Sequence, residues 1–237
     1  MKFPETEKLV LLTFDDGPNA DHEVTKQLLA VLRKYRVKAL FNVIGRNVDR
    51  YPELVREAWA DGHIIANHGD SDLPLLLRGR RAVSGEIDSC DAAIGRAIND
   101  TSFRAVYFRP SFGWYGPAVA HETKKRGLTY VGTTWYGLDD QKPENKMSEV
   151  LTAMERSIRR SGGGVPTLHD GKAEYTHLEK RVKQGRLNYN RSMVPVIVDS
   201  LIARLTREGY RFPSLDESPK NDLTDKQKIL LNNVLYR

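Results

Sequence analysis

Two adjacent aspartates, Asp15 and Asp16, end the apolar run Leu9 to Phe14 and are followed at once by Gly17-Pro18. Side chains in such a run alternate faces and Gly-Pro turns the chain, so both carboxylates stand at the C-terminal rim of a strand. Neighbouring carboxylates repel unless a cation neutralises one of them. The chemistry this suits is one acid on a metal ion and the other on a water; taken alone, the same turn could cap the next helix.

Further residues of the right types recur. In His68-Gly69-Asp70-Ser71-Asp72 the i, i+4 spacing predicts, on a helical turn, His68 and Asp72 on one side, able to hold a cation together with Asp16. Such an oxygen-rich set admits zinc and penalises Mn, Fe, Co or Ni less than a His-rich or Cys-rich site would. Arg109-Pro110-Ser111-Phe112-Gly113 reads as a strand end and a rigid turn. Arg109 can pair with an acid such as Asp15 and hold it ionised, and the turn's N–H groups can face a developing oxyanion. Leu168-His169-Asp170-Gly171 ends a strand that follows three glycines, Gly162 to Gly164. An imidazole there can deliver a proton near neutrality, or simply bond Asp170 as a loop histidine.

These residues must be carried by strands. Apolar runs at Leu9 to Phe14, Lys38 to Ile44, His63 to Asn67, Ala105 to Arg109, Leu128 to Trp135, Gly164 to His169 and Tyr210 to Phe212 predict seven of them. Helical patterns lie between: His22 to Tyr35 with Asp21 placed as its cap, Pro52 to Asp61, Leu75 to Ile98, Pro117 to Arg126, Lys146 to Arg160 and Ser192 to Glu208. The alternation means a parallel α/β architecture. The chemically active residues all follow a strand's apolar core, and strand ends converge on one face only in a barrel, so an irregular seven-stranded (β/α) barrel is expected rather than an open sheet.

Composition bounds the rest. The 237 residues carry 37 Lys and Arg against 31 Asp and Glu, a net charge of +6 that favours anionic or neutral polymers over cationic ones, or is simply a solvated basic surface. No basic helix with interleaved aromatics supports nucleic-acid binding. Cys90 is the only cysteine, so an intrachain disulfide is excluded. No stretch approaches the roughly 20 apolar residues of a membrane span. With no leader ahead of the first strand, a cytoplasmic location is expected, or a secreted or periplasmic one for a chain whose leader has been removed. Residues 1–213 read as one domain and 214–237 as a tail with a short helical pattern. His22, His121 and His177 read as surface residues, His63 as packed, and the stretch from Lys172 to Asn190 as a groove-shaping insertion or a surface loop.

Taken in order, the acidic turn Thr13 to Pro18, Gly62-His63, Asn67-His68, the Arg109 to Gly113 turn, Leu168-His169-Asp170 and Gly209-Tyr210-Arg211-Phe212 resemble the polysaccharide deacetylases of carbohydrate esterase family 4, the NodB-homology proteins. The resemblance spans almost the whole chain and implies a distorted (β/α) barrel. It also implies hydrolysis of the N-acetyl groups of a chitin-like or peptidoglycan glycan around one divalent metal ion, with zinc as the expected metal. By resemblance Asp15 is the catalytic base and His169 the general acid, Arg109 positions the base, and Asp16 and His68 bind metal. Leu168 lines the acetyl pocket, the Phe112 N–H serves the oxyanion, Trp135 is an aromatic wall, and Asp140, or else Asp139, tunes His169. One position departs: where the family has a second metal histidine, this chain has Asp72. Two negative ligands lower the Lewis acidity of a bound cation and shift metal preference. A glycan binder with a decayed metal site, or a hydrolase of small amides, are the competing expectations.

Overall fold

The computed structural model describes residues 8–20, 23–136, 139, 142, 144–171 and 191–213. Seven short strands, β1 Thr13–Asp15, β2 Leu40–Val43, β3 Ile64–Asn67, β4 Tyr107–Phe108, β5 Thr129–Tyr130, β6 Trp135–Tyr136 and β7 Pro166–His169, form one sheet of order β5-β4-β3-β2-β1-β7-β6, every pair parallel. Helices α1 Val24–Tyr35, α2 Gly45–Arg50, α3 Pro52–Ala60, α4 Arg80–Ile98, α5 Pro117–Arg126, α6 Met147–Ser161 and α7 Met193–Arg207 accompany it.

The edge strands β5 and β6 are joined by residues 131–134 alone. A flat sheet of seven strands would hold its edges about 29 Å apart. Five virtual bonds reach at most about 18 Å, so this linker forces the sheet to curl into a half-barrel. Val131 N–H donates to Phe108 O on one side of the seam, and Thr134 N–H donates to Val165 O on the other.

Alternation sorts the side chains into two layers. Val10, Leu12, Phe14, Ala39, Phe41, Val43, Ile65 and Leu168 belong to the large core cluster shared with the helices. Leu11, Leu40, Ile64, Ala66, Tyr107, Val131 and Val165 form a smaller cluster on the other face, inside the curl. Continuing that inner face toward the strand ends gives Thr13, Asp15, Asn42, His68, Arg109, Thr167 and His169. Apolar residues thus floor the half-barrel and polar ones fill its mouth.

Helix boundaries follow local chemistry. In α1, Val24, Leu28, Leu29 and Leu32 are buried at helical spacing and Arg36 ends the helix in a left-handed conformation, its N–H turned back to Leu32 and Arg33. Pro52 opens α3 at a first-turn position. Cys90 is fully buried, its thiol directed at Val43 O.

Several expectations need correction. The run Leu128 to Trp135 is two strands, because the chain leaves β4 at Gly132 and joins β7 beyond it. Tyr210 to Phe212 contributes only a single bridge, Arg211 to Leu9. The seven strands are therefore reached by a different partition. Helix α2 was not expected, and the expected helix from Leu75 begins only at Arg80. Helix α1 starts at Val24 with Glu23 before it and no side-chain cap, while Asp21, His22, His177, the 172–190 stretch and the 214–237 tail lie outside the described residues. Among the described residues no helix is long and apolar enough to cross a membrane.

Candidate active site

Asp15 ends β1 in register with Asn42 on one side and His169 on the other. Its Oδ1 accepts hydrogen bonds from Asn42 Nδ2 at 2.7 Å and from Arg109 Nη1 at 2.6 Å. Both side chains of the Asp15–Arg109 pair are 4 % exposed. Its Oδ2 faces His68 Nε2 at 3.8 Å. One oxygen is thus anchored and the other is presented to the site.

Arg109 does more than pair. Its Nη1 also donates to Thr13 Oγ1 and Thr167 Oγ1, both at 3.0 Å, its Nε to Val131 O and its Nη2 to Gly132 O. A planar guanidinium can serve β1, β7 and the seam at once, which the point charge of lysine cannot.

Asp16 takes a left-handed conformation, φ 71°, with its carbonyl held by Asn47 Nδ2 from α2. The end of β7 presses on the same turn. Asp170 and Gly171 N–H both donate to Asp15 O, and a β-carbon on Gly171 would collide with Asp16 O. Glycine is required there by close backbone approach. The Asp16 carboxylate meets His68 Nε2 at 3.4 Å. Burial alone would raise Asp16, but its hydrogen bond to His68 and the charges of His169 and Arg191 hold it below its ordinary value.

His68 Nδ1 donates to Arg109 O at 2.6 Å, which leaves Nε2 facing the carboxylates. Burial opposes its protonation, yet Asp15 and Asp16 draw a proton onto it. The stretch that follows is not a helical turn, as the i, i+4 spacing had predicted, but a bent loop with Gly69 at φ 90°. Side chains from β3 and α4 shape it. Asn67 Oδ1 accepts from Gly69 N–H, and Glu86 accepts from Asp70 N–H, Ser71 N–H and Ser71 Oγ. Asp72 ends in the site with its Oδ2 buried and unpartnered among the described residues, and burial plus the Asp16 charge push it up to about 7.

Asp16 and His68 come together, but among the described residues no three His, Cys, Asp or Glu side chains are gathered as a finished metal cage. The donor chemistry nonetheless fits a divalent cation: an imidazole nitrogen aimed at a carboxylate, beside a second buried carboxylate oxygen without a donor.

On the opposite side stands His169, 3 % exposed. Asp139 holds it twice, Oδ2 accepting its backbone N–H at 2.8 Å and Oδ1 bonding Nδ1 at 3.0 Å. Burial disfavours the imidazolium, but Asp139, fully buried, wins and raises His169 to about 10. Asp139 itself is kept low: burial would raise it, and His169 outweighs that.

Here the structure favours one of two alternatives and corrects two assignments. The carboxylate on His169 is Asp139; Asp140 lies outside the described residues. Leu168 faces away from His169, into the core with Phe14, because neighbouring strand residues take opposite faces. Trp135 packs against that same core, and the aromatic ring over His169 is Tyr136. Phe112 sits at the tip of a turn pinned by Ser111 Oγ to His68 O and by Tyr130 OH to Gly113 O, with φ 65°.

Sequence reasoning missed Asn42, Asn47, Glu86, Tyr136 and Arg191. Asn42 carried a readable signal, a polar residue within Leu40-Phe41-Asn42-Val43. Buried Arg191, which donates from Nε to Gly171 O and acts electrostatically on Asp16 and Asp139, carried none.

A sequence profile of the family described as polysaccharide deacetylase matches residues 2–131. The peptidoglycan-N-acetylglucosamine deacetylase of Bacillus cereus is 26 % identical over 216 residues, 90 % of this chain and 89 % of the relative. The chitooligosaccharide deacetylase of Sinorhizobium fredii is 34 % identical over 162 residues, 68 % of this chain and 72 % of the relative. Among solved structures, the family 4 acetyl xylan esterase of Clostridium thermocellum, in complex with a cobalt ion, superposes with a TM-score of 0.69 at 27 % identity, covering 88 % of this chain and 89 % of that one. With the profile spanning more than half of its length and a relative one-third identical over two-thirds of it, this chain belongs to the polysaccharide deacetylase family.

Proposed function

We propose that this chain is a metal-dependent hydrolase that removes N-acetyl groups from a 2-acetamido-sugar polymer or oligomer, chitin-like or peptidoglycan, releasing acetate. One observation carries the reading: a carboxylate and an imidazole suited to base and acid work stand side by side on neighbouring strands. Asp15 is ion-paired to Arg109 with one oxygen presented, and its ladder neighbour His169 is kept cationic by Asp139. A carboxylate with a presented oxygen beside an imidazole held as its cation can divide base and acid work at one pH. The deacetylase names of the relatives supply the bond and the substrate class.

Asp16 and His68, with Asp72 as a third donor, would hold the divalent cation, zinc, cobalt, nickel, manganese and iron all being compatible. Such an ion polarises a carbonyl and acidifies water when bound. The protein's own groups do the rest. Asp15 Oδ2 takes the proton of the attacking water while Arg109 and Asn42 fix Oδ1. The turn at Phe112, pinned to His68, offers its N–H to the oxyanion. His169 Nε2 gives its proton to the leaving amine, and Asp139 supports the imidazolium until then.

The test is acetate release from a panel of N-acetylated and O-acetylated glycans, with chelated protein resupplied with single metals. Asp15→Asn is expected to abolish release with metal binding largely intact, and Asp16→Ala to lose both. Silence of the wild type across a panel that a control deacetylase cleaves would overturn the reading in favour of a glycan binder or a small-amide hydrolase.

A further inference from the structure

Tyr136 occupies a position that the catalytic reading leaves unused. It is the second residue of β6 and turns away from Trp135, placing its hydroxyl 3.2 Å from His169 Nε2. The two rings meet edge to face, with centroids 5.3 Å apart at 74°. Nδ1 of His169 is committed to Asp139, so Nε2 is the nitrogen from which a proton can leave. The imidazole is buried, whereas Tyr136 is 44 % exposed. The phenol therefore stands between the general acid and the solvent side from which a substrate must come.

We propose that Tyr136 is a positioning residue for His169, its hydroxyl accepting the Nε2–H bond in the free protein and yielding that bond to the leaving nitrogen when substrate enters. The inference rests on the deacetylase reading and deepens it. In the transfer step the Nε2–H bond breaks, the proton passes to the leaving nitrogen, and that nitrogen keeps the electron pair of the broken C–N bond. The tyrosine keeps its own proton throughout. Its contribution is to orient the ring and to support the charged form, since a hydrogen bond to the protonated state favours that state.

Other charges face His169 from every side: Asp139 after β6, Asp15 and Asp16 at the end of β1, Asp72 in the loop after β3, Asp170 beside it, and Arg191 ahead of α7. Tyr136→Phe removes a single oxygen from a half-exposed ring and leaves the fold unchallenged.

Two measurements decide the matter. In metal-free protein with isotope-labelled histidine, the exchange of the His169 Nε2–H proton with water is expected to accelerate at least threefold in Tyr136→Phe. In metal-loaded protein, the alkaline limb of the kcat/KM profile, which reports the free protein, is expected to move down by half a pH unit or more. Tyr115→Phe, which removes a hydroxyl bonded to Thr123, is expected to change neither. Unchanged exchange and an unchanged limb in Tyr136→Phe would overturn the inference. Should the wild type release acetate from no glycan, the deacetylase reading fails, and the exchange experiment still decides the Tyr136 contact.

Discussion

Asp170 gives a prediction whose size follows from its surroundings. The residue is 1 % exposed, beside a small cavity walled by Phe41, Val43, Leu54 and Ile65. Thr25 Oγ1 donates to its Oδ2 at 2.7 Å, while its Oδ1 accepts no hydrogen bond from the described residues. Burial, reinforced by the charges of Asp16 and Asp15, pushes this carboxyl up to about 7 from an ordinary 3.8, against the Thr25 hydrogen bond. A carboxyl raised on folding contributes stability below its unfolded pKa and loses it as pH climbs through the folded one. At about 1.4 kcal/mol per unit, roughly three units amount to about 4 kcal/mol in full. Between pH 5 and pH 8 the portion lost is about 2–3 kcal/mol. Asp170→Asn has the same shape, can still accept from Thr25 and does not titrate. In the presence of chelator, its unfolding free energy minus that of the wild type, from urea melts at pH 5, 6, 7 and 8, is expected to rise by that amount. Parallel curves across the range would refute the argument that Asp170 is buried uncharged.

Three further outcomes are expected. Asp139→Asn removes the charge that holds His169 near 10, so the alkaline limb of acetate release should fall toward the ordinary imidazole range and kcat should drop on the order of tenfold to a hundredfold; an unmoved limb would show that Asp139 does not set the acid. Asp72→His should raise zinc affinity, read by calorimetric titration, and no change would mean that residue 72 is not a ligand. Arg109→Lys keeps a positive charge but cannot reach Val131 O, Gly132 O, both threonines and Asp15 together. It should cost about 3 kcal/mol in urea unfolding along with most of the activity, whereas a wild-type melt would show that the fork is dispensable.

Strand order of chemistry along the chain was legible: each of the residues Asp15, His68, Arg109 and His169 follows an apolar stretch, and strand ends of a curled parallel sheet meet. Even the curl was implicit in the run Leu128 to Trp135, too short to join the edges of a flat sheet. What stayed hidden was whatever depends on a one-residue choice. Leu168 against Thr167 and Trp135 against Tyr136 are each decided by which neighbour faces inward, and strands of two to four residues are too short to read that choice from period alone. The loop 68–72 misled for another reason. Its shape is imposed by Glu86 and Asn67, partners that sequence spacing does not reveal.

The guanidinium of Arg109 has a consequence for evolution. It ties β1, β7 and the seam between β5 and β6 while fixing one oxygen of the base, so cellular protein level and turnover draw on one side chain. In a library of random variants, selection for abundance alone should empty position 109 almost as thoroughly as selection for acetate release. At half-exposed Tyr136 the two selections should part, tolerant for abundance and strict for turnover. Adaptation toward a new acyl substrate is thereby channelled to the rim of the half-barrel, since the arginine at its centre is not free to change.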